Sequence, residues 1–294
     1  MNDTRDKLAE RKLETRPAGA KSATRRDPLA LALRQAIETD RLTVAYQPEV
    51  SEAGDLLGFE ALARWHWAGV GNVPPSVFVP IAQRNGLMRA LTVRVIEQAL
   101  GQLAAWQRAG LAAPRVSINV APCDLESDDF VVMLMSALRR HRVEARHIVL
   151  EITEKMPFAR HARARQVLES LRRAGVCIAL DDFGTGYSAL AMLTELPLDT
   201  LKIDRGFLAG VPGDARREQL MHAVIELGRA IGLRVVVEGV ELAAQFAWLA
   251  GRGIDGFQGH LFHVPATGEH WSAVLREERM RPRGWEATAP LPLG

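Results

Sequence analysis

Val176-Cys177-Ile178-Ala179-Leu180-Asp181-Asp182-Phe183-Gly184-Thr185-Gly186-Tyr187 sets a short apolar run against two adjacent carboxylates and a glycine-hinged turn. A compact apolar stretch bounded by turn residues reads as a buried strand, and the acids close it. Two like charges about 4 Å apart repel by roughly 4 kcal/mol at an effective dielectric near 20, so keeping both ionised calls for bound positive charge. A divalent metal supplies it. A solvated acidic turn, with Asp182 capping the helix that follows, is the plainer alternative.

Outward from this stretch, β-rich runs alternate with helical patterns. Strands are expected at 42–47, 58–65, 115–120, 147–153, 177–182, 200–204, 234–238 and 256–258, and helices at 28–38, 92–109, 130–141, 162–174, 217–231 and 242–250. The first two strands read as a hairpin through Ala53-Gly54-Asp55, which puts one antiparallel pair into a sheet whose remaining order is strand, helix, strand. Eight strands in this alternation predict an α/β fold, a single (β/α)8 barrel, with a doubly wound open sheet as the competing arrangement.

Strand side chains alternate between faces, so the polar residues can be sorted by parity. Glu60 opposes Phe59 and Ala61, Asn119 opposes Ile118 and Val120, and Glu151 opposes Leu150 and Ile152. Lys202 and Asp204 oppose Leu201 and Ile203, Glu238 opposes Val237, and Asp181 opposes Leu180. Most sit late in their strand, where a barrel builds its active site. Glu60, Asn119, Glu151, Asp181 and Asp182 form an all-oxygen set suited to Mg²⁺ or Mn²⁺ and lack the His and thiolate that zinc prefers. Taken singly, each acid could be a buried ion-pair partner, and Lys202 with Asp204 could be an internal pair. Beside metals, an ammonium such as Lys202 can orient water or stabilise phosphoryl charge, and Glu238 can hold or deprotonate a water.

Composition narrows the field. The chain has 294 residues, 48% hydrophobic and 24% charged, with a formal charge of +2, so it lacks the basic footprint of a polymeric nucleic-acid binder. Cys123 and Cys177, without paired spacing, fit a reducing, cytoplasmic compartment. No apolar run is long enough to span a membrane. Residues 1–27 are polar, with eight Lys/Arg against five Asp/Glu, and read as a leader or linker; 28–278 hold the barrel and 279–294 a tail. No Ser lies in a nucleophile elbow, and Gly184 and Gly186 lack the Gly-Lys-Ser/Thr of a P-loop. His66, His141 and His161 read as surface residues, while Trp65, Trp67 and Trp106 read as core or interface ahead of base-stacking platforms.

The residues resemble the EAL-domain phosphodiesterases that hydrolyse cyclic di-GMP, over about residues 33–265. The resemblance rests on Glu60-Ala61-Leu62-Ala63-Arg64-Trp65, Tyr46-Gln47-Pro48, Ile118-Asn119-Val120 and Leu150-Glu151-Ile152-Thr153-Glu154. It extends through the 181–187 loop, Leu201-Lys202-Ile203-Asp204, Glu238-Gly239-Val240-Glu241 and Gln258-Gly259. It implies a TIM-like barrel with its first strand antiparallel, and a homodimer in which two Mg²⁺ or Mn²⁺ ions activate a water that opens one phosphodiester to give pGpG. By that likeness Glu60, Asn119, Glu151, Asp181 and Asp182 bind metal, while Lys202 and Glu238, with Glu60, carry catalysis. Gln47, Leu62, Arg64, Asp204, Glu241 and Gln258 meet substrate, and Glu154 steadies the loop after Asp182. Gln83, Ala121 and His260 depart from the family's usual Glu, Ser and Tyr without removing a ligand. A cyclic di-GMP receptor without turnover, and a barrel hydrolase for another phosphate ester or sugar, are the competing functions.

Overall fold

The structure, a computed structural model, describes residues 28–277 except 40, 112, 113, 127, 155–160 and 185–188. The expected leader at 1–27 and the tail from 279 lie outside the described residues. In chain order the elements are α1 (Pro28–Glu38), β1 (Leu42–Val50), β2 (Leu56–Trp67), β3 (Gly71–Val73), α2 (Pro75–Arg84), α3 (Met88–Arg108), β4 (Val116–Asn119), α4 (Asp129–His141), β5 (Ile148–Thr153) and α5 (His161–Arg173). Then follow β6 (Cys177–Phe183), α6 (Ala189–Glu195), β7 (Thr200–Ile203), α7 (Ala215–Ala230), β8 (Arg234–Val237), α8 (Ala243–Leu249), β9 (Gly256–Phe257), β10 (Ala266–Thr267) and α9 (Gly268–Arg276).

Eight of these strands close a barrel in the order β1-β2-β4-β5-β6-β7-β8-β9, with β3 and β10 appended at its ends. The strands from β2 to β9 run parallel around the barrel, while β1 is antiparallel to β2 and to β9. The hairpin read from the sequence therefore supplies the antiparallel member, and the open-sheet alternative is replaced by closure. Closure removes the exposed edges that an eight-stranded open sheet would carry.

Local chemistry accounts for the elements. Val235, Val236 and Val237 give β8 three β-branched residues buried on both faces, as a parallel strand covered by helices requires. Along α3, Leu91, Val95, Ile96, Ala99, Leu100 and Leu103 recur at three- and four-residue steps and all turn inward. Asp214 begins α7 by accepting from the Arg216 and Arg217 amides, and Thr267 begins α9 by accepting from the His270 amide. Trp271 of α9 is wholly buried; its indole donates to the Tyr46 carbonyl at 2.7 Å and its ring lies 5.2 Å from Phe59. Trp65 and Trp106 are core residues, as read, and His66 is exposed on β2. Among the described residues no helix is long and apolar enough to cross a membrane.

Candidate active site

The polar residues meet inside the barrel at the C-terminal ends of the parallel strands. Lys202 of β7 is 2% exposed, and its Nζ lies 2.6 Å from Glu151 Oε1 and 2.5 Å from Glu238 Oε1. The same ammonium is 3.6 Å from Glu60 Oε2 and 3.7 Å from Asp181 Oδ1. Because β2 and β7 are not neighbours in the sheet, the Glu60 contact is made across the barrel interior. Asn119 Nδ2 donates to Glu60 Oε1 at 2.8 Å and to Glu151 Oε2 at 3.3 Å, and Gln258 Nε2 donates to Glu60 Oε2 at 2.8 Å.

Asp181 and Asp182 are consecutive, and in a regular strand their side chains would part to opposite faces. Two local features bring both to the site. The β6–β7 register shifts between Leu180 and Phe183, and Asp182 takes a left-handed backbone with φ +56°, a conformation that Asp tolerates better than most residues. The oxygens of Asp181, Asp182 and Glu238 consequently lie within 4.8 Å of one another. Gly184 follows at φ +99°, where a Cβ would stand 2.0 Å from the Phe207 ring, so only glycine fits. Its amide donates to Glu154 Oε1 at 2.6 Å. Replacing Glu154 with Ala is expected to weaken Mg²⁺ binding about tenfold, measured calorimetrically, because outer partners of ligand-bearing loops typically contribute that much.

The electrostatics follow from crowding. Burial raises the Glu151 and Glu238 carboxyls well above the usual range; the neighbouring acids add to this, and Lys202 opposes it. Asp181 is raised by burial and by the Glu60 and Asp182 charges, again against Lys202. Glu60 goes the other way: burial would raise it, but the Lys202 ammonium and the amide donors of Gln258 and Asn119 together hold it low. Burial alone would also lower Lys202, yet the four surrounding carboxylates hold its proton well above the ordinary lysine range. Lys202 therefore stays cationic.

This donor set fits a divalent metal. Glu151 Oε1, Asp181 Oδ1 and Glu238 Oε1 are buried oxygens that accept no hydrogen bond of good geometry, their near company being the ammonium. Among the described residues, the one ammonium of Lys202 against Glu60, Glu151, Asp181, Asp182 and Glu238 leaves negative charge that hard cations or protons must balance.

Other residues read as substrate contacts are distributed unevenly. Gln47 lies in the wall, donating to the His263 carbonyl at 3.2 Å and receiving from Gln258 at 3.3 Å. Leu62 and Arg64 are half-buried on β2, and Arg64 donates to the Ala63 carbonyl. Asp204 lies beyond β7 and accepts from the Gly206 amide at 2.8 Å, so its structural task is to cap a short 3₁₀ turn. Glu241 is exposed, its amide bound by Gln245. Two residues that the sequence reading left out, Glu49 and Arg234, reach the barrel interior beneath this group; Glu49 shares the parity of Gln47, which was the available signal.

Fold and site together define a family: residues 30–265 match the EAL domain, and the chain belongs to the EAL domain family. The chain is 37% identical over 244 residues to the bifunctional diguanylate cyclase/cyclic di-GMP phosphodiesterase MucR of Pseudomonas aeruginosa, a match covering 83% of this chain and 36% of that protein. It is 34% identical to the oxygen sensor protein DosP of Escherichia coli over 86% of this chain and 32% of DosP. The chain thus spans about a third of the length of these relatives. Among solved structures, the PaMucR phosphodiesterase in complex with c-di-GMP superposes with a TM-score of 0.77 at 36% identity, covering 83% of this chain and 99% of that one. The EAL enzyme Bd1971, with cAMP and cyclic di-GMP bound, gives 0.81 at 29% identity over 92% and 73% of the two chains.

Proposed function

We propose that this chain is a metal-dependent phosphodiesterase that hydrolyses cyclic di-GMP to linear pGpG. The observation that carries this reading is the buried ammonium of Lys202 ringed by Glu60, Glu151, Asp181 and Glu238, an oxygen-rich cluster that this one cation cannot neutralise; among the described residues it is the ammonium that meets them. Glu60, Asn119, Glu151, Asp181 and Asp182 would hold two Mg²⁺ or Mn²⁺ ions; against these four carboxylates, Glu238 and the Lys202 ammonium, two divalent charges balance the site. When bound, such ions supply Lewis acidity toward water and charge neutralisation toward the phosphodiester.

The chain's own groups divide the remaining work by their electrostatics. Lys202, held cationic, cannot act as a base; its N–H groups can orient the attacking water and stabilise negative charge on a phosphoryl oxygen. Glu238, whose carboxyl is raised by burial, is the group suited to accept the proton that the water loses as its oxygen adds to phosphorus. The P–O bond to the ribose oxygen then breaks, and that oxygen takes up a proton from solvent, while Glu238 returns the proton it accepted to solvent before the next turnover. By the family resemblance, Gln47, Leu62, Arg64, Asp204, Glu241 and Gln258 would meet phosphate or guanine. Glu154, through Gly184, steadies the turn that carries Asp182.

The resemblance to MucR supports the substrate, and the family's habits support a cytoplasmic, homodimeric enzyme whose catalytic unit occupies residues 28–278. Incubation with cyclic di-GMP and Mg²⁺ or Mn²⁺ at dimer-forming concentrations is expected to yield pGpG by nucleotide chromatography. Binding without product would instead identify a receptor, and turnover of a generic aryl phosphodiester without affinity for cyclic di-GMP would identify a different hydrolase.

A further inference from the structure

A (β/α)8 barrel is usually filled below its active site by layers of bulky branched side chains. Here the inward positions beneath the acid cluster include Gly58, Ser117, Ala179 and Thr200. They leave a cavity of about 10 Å³, space for the centre of one water molecule, on the side of Lys202 and Glu151 that faces away from the mouth. Lys202 and Glu151 close it from above, Ser117 and Thr200 flank it, and Glu49 and Arg234 lie below.

Three observations mark this as a polar site rather than a packing flaw. Lys202 and Glu151 line it, only 2% and 0% exposed, and although Nζ and Oε1 pair as ions at 2.6 Å, the contact is not a well-aligned hydrogen bond. Ser117 and Thr200, which also line it, are themselves buried, at 8% and 6% exposure, and each carries a hydroxyl. The floor is built: Arg234 and Glu49 pair at 3.4 Å, and the Glu49 side chain crosses Gly256 so closely that a Cβ there would lie 2.5 Å from Oε1. Polar cavities of this size with two to four partners hold water, whereas dry ones are lined by hydrocarbon.

We infer that one ordered water occupies this cavity, bonded to Lys202 and Glu151 and to the hydroxyl of Thr200 or Ser117, and that it fixes the direction of the Lys202 ammonium from below. Thr200 and Ser117 are then positioning residues for Lys202. The carboxylates pull the ammonium toward the mouth, and the water restrains it from the opposite side. A fixed ammonium is worth more to a developing charge than a mobile one, because no reorganisation is needed when the charge appears.

Occupancy of the cavity does not depend on what the enzyme hydrolyses, whereas the effect on turnover rests on the phosphodiesterase reading. A high-resolution crystal structure of the full chain is expected to show one water within hydrogen-bond distance of Lys202 or Glu151 and of a flanking hydroxyl; a dry cavity overturns the inference. Thr200→Val, which swaps the hydroxyl for a methyl group, is expected to lower kcat for cyclic di-GMP about tenfold, the lower bound for a hydrogen bond to a charged group, with KM unchanged. Thr200→Ser is expected to restore it. Wild-type kcat in Thr200→Val, or a loss that Thr200→Ser does not restore, overturns the positioning role. If Thr200→Val does not fold, Ser117→Ala takes its place in the same assay and crystal. An enzyme without activity on cyclic di-GMP sinks the functional reading alone, and the crystal still decides the water.

Discussion

Asp181→Ala is expected to reduce hydrolysis of cyclic di-GMP by about 10³-fold or more and to remove calorimetric Mg²⁺ binding, because this residue joins the two halves of the site. Its carboxylate faces the Lys202 ammonium at 3.7 Å and also lies with Asp182 and Glu238 in the group whose oxygens fall within 4.8 Å. Removing it takes one charge from each. Asp181→Asn separates shape from charge: the amide keeps the volume but offers a weaker, neutral donor, and loss of metal binding there as well would assign the effect to charge. Mg²⁺ binding unchanged in Asp181→Ala would contradict the ligand assignment outright.

Lys202→Met carries the second large effect, and it has two readouts. Turnover should fall about 10²- to 10³-fold, as for removal of one donor to developing charge, while Mg²⁺ affinity survives better than in Asp181→Ala. Stability should respond in the opposite sense to metal. Without the ammonium, Glu60, Glu151, Asp181 and Glu238 lose the cation that offsets their mutual repulsion. Breaking such a buried pair typically costs about 3–5 kcal/mol, so urea unfolding in chelator should shift markedly. Saturating Mg²⁺ should return much of that loss by binding the folded state. A variant as stable as the parent in chelator would mean that the carboxylates carry protons rather than lean on Lys202.

Much of this site was legible because strand parity is a strict rule. Glu60, Asn119, Glu151 and Lys202 each oppose apolar neighbours in a short run, and the alternation of strand and helix specified a barrel that would gather them. Asp182 was harder. Parity sends it away from Asp181, and only the shifted β6–β7 register with its positive φ turns it back; no local pattern encodes that beyond the tolerance of Asp for such a backbone and the glycine that follows. Asp204 shares parity with Lys202, yet β7 ends at Ile203 and the carboxylate turns to cap the next turn, since a one-residue difference in strand length decides what a terminal side chain meets. The strands β3 and β10 have three and two residues, too short for a periodic signature. The helix α2 contains Pro80 in its interior, which argues against a helix in sequence because the proline has no amide to donate to the Ser76 carbonyl. Ser117 and Thr200 look unremarkable in a strand, and only the closed barrel sets them around one cavity with a buried lysine.

The seam between the first and last strands of the barrel is thin. β9 has two residues and meets β1 at one register pair, Val50 with Phe257, whereas β1 and β2 pair along nine positions from Leu42 to Val50. Sequence-distant contacts close late and open early, so amide exchange should be fastest along this join, and a sub-global opening would split the cylinder there. Gln47 and Gln258 stand on opposite sides of that line and share a hydrogen bond. Any guest gripping both would act as a clasp across it, slowing exchange at positions it never touches.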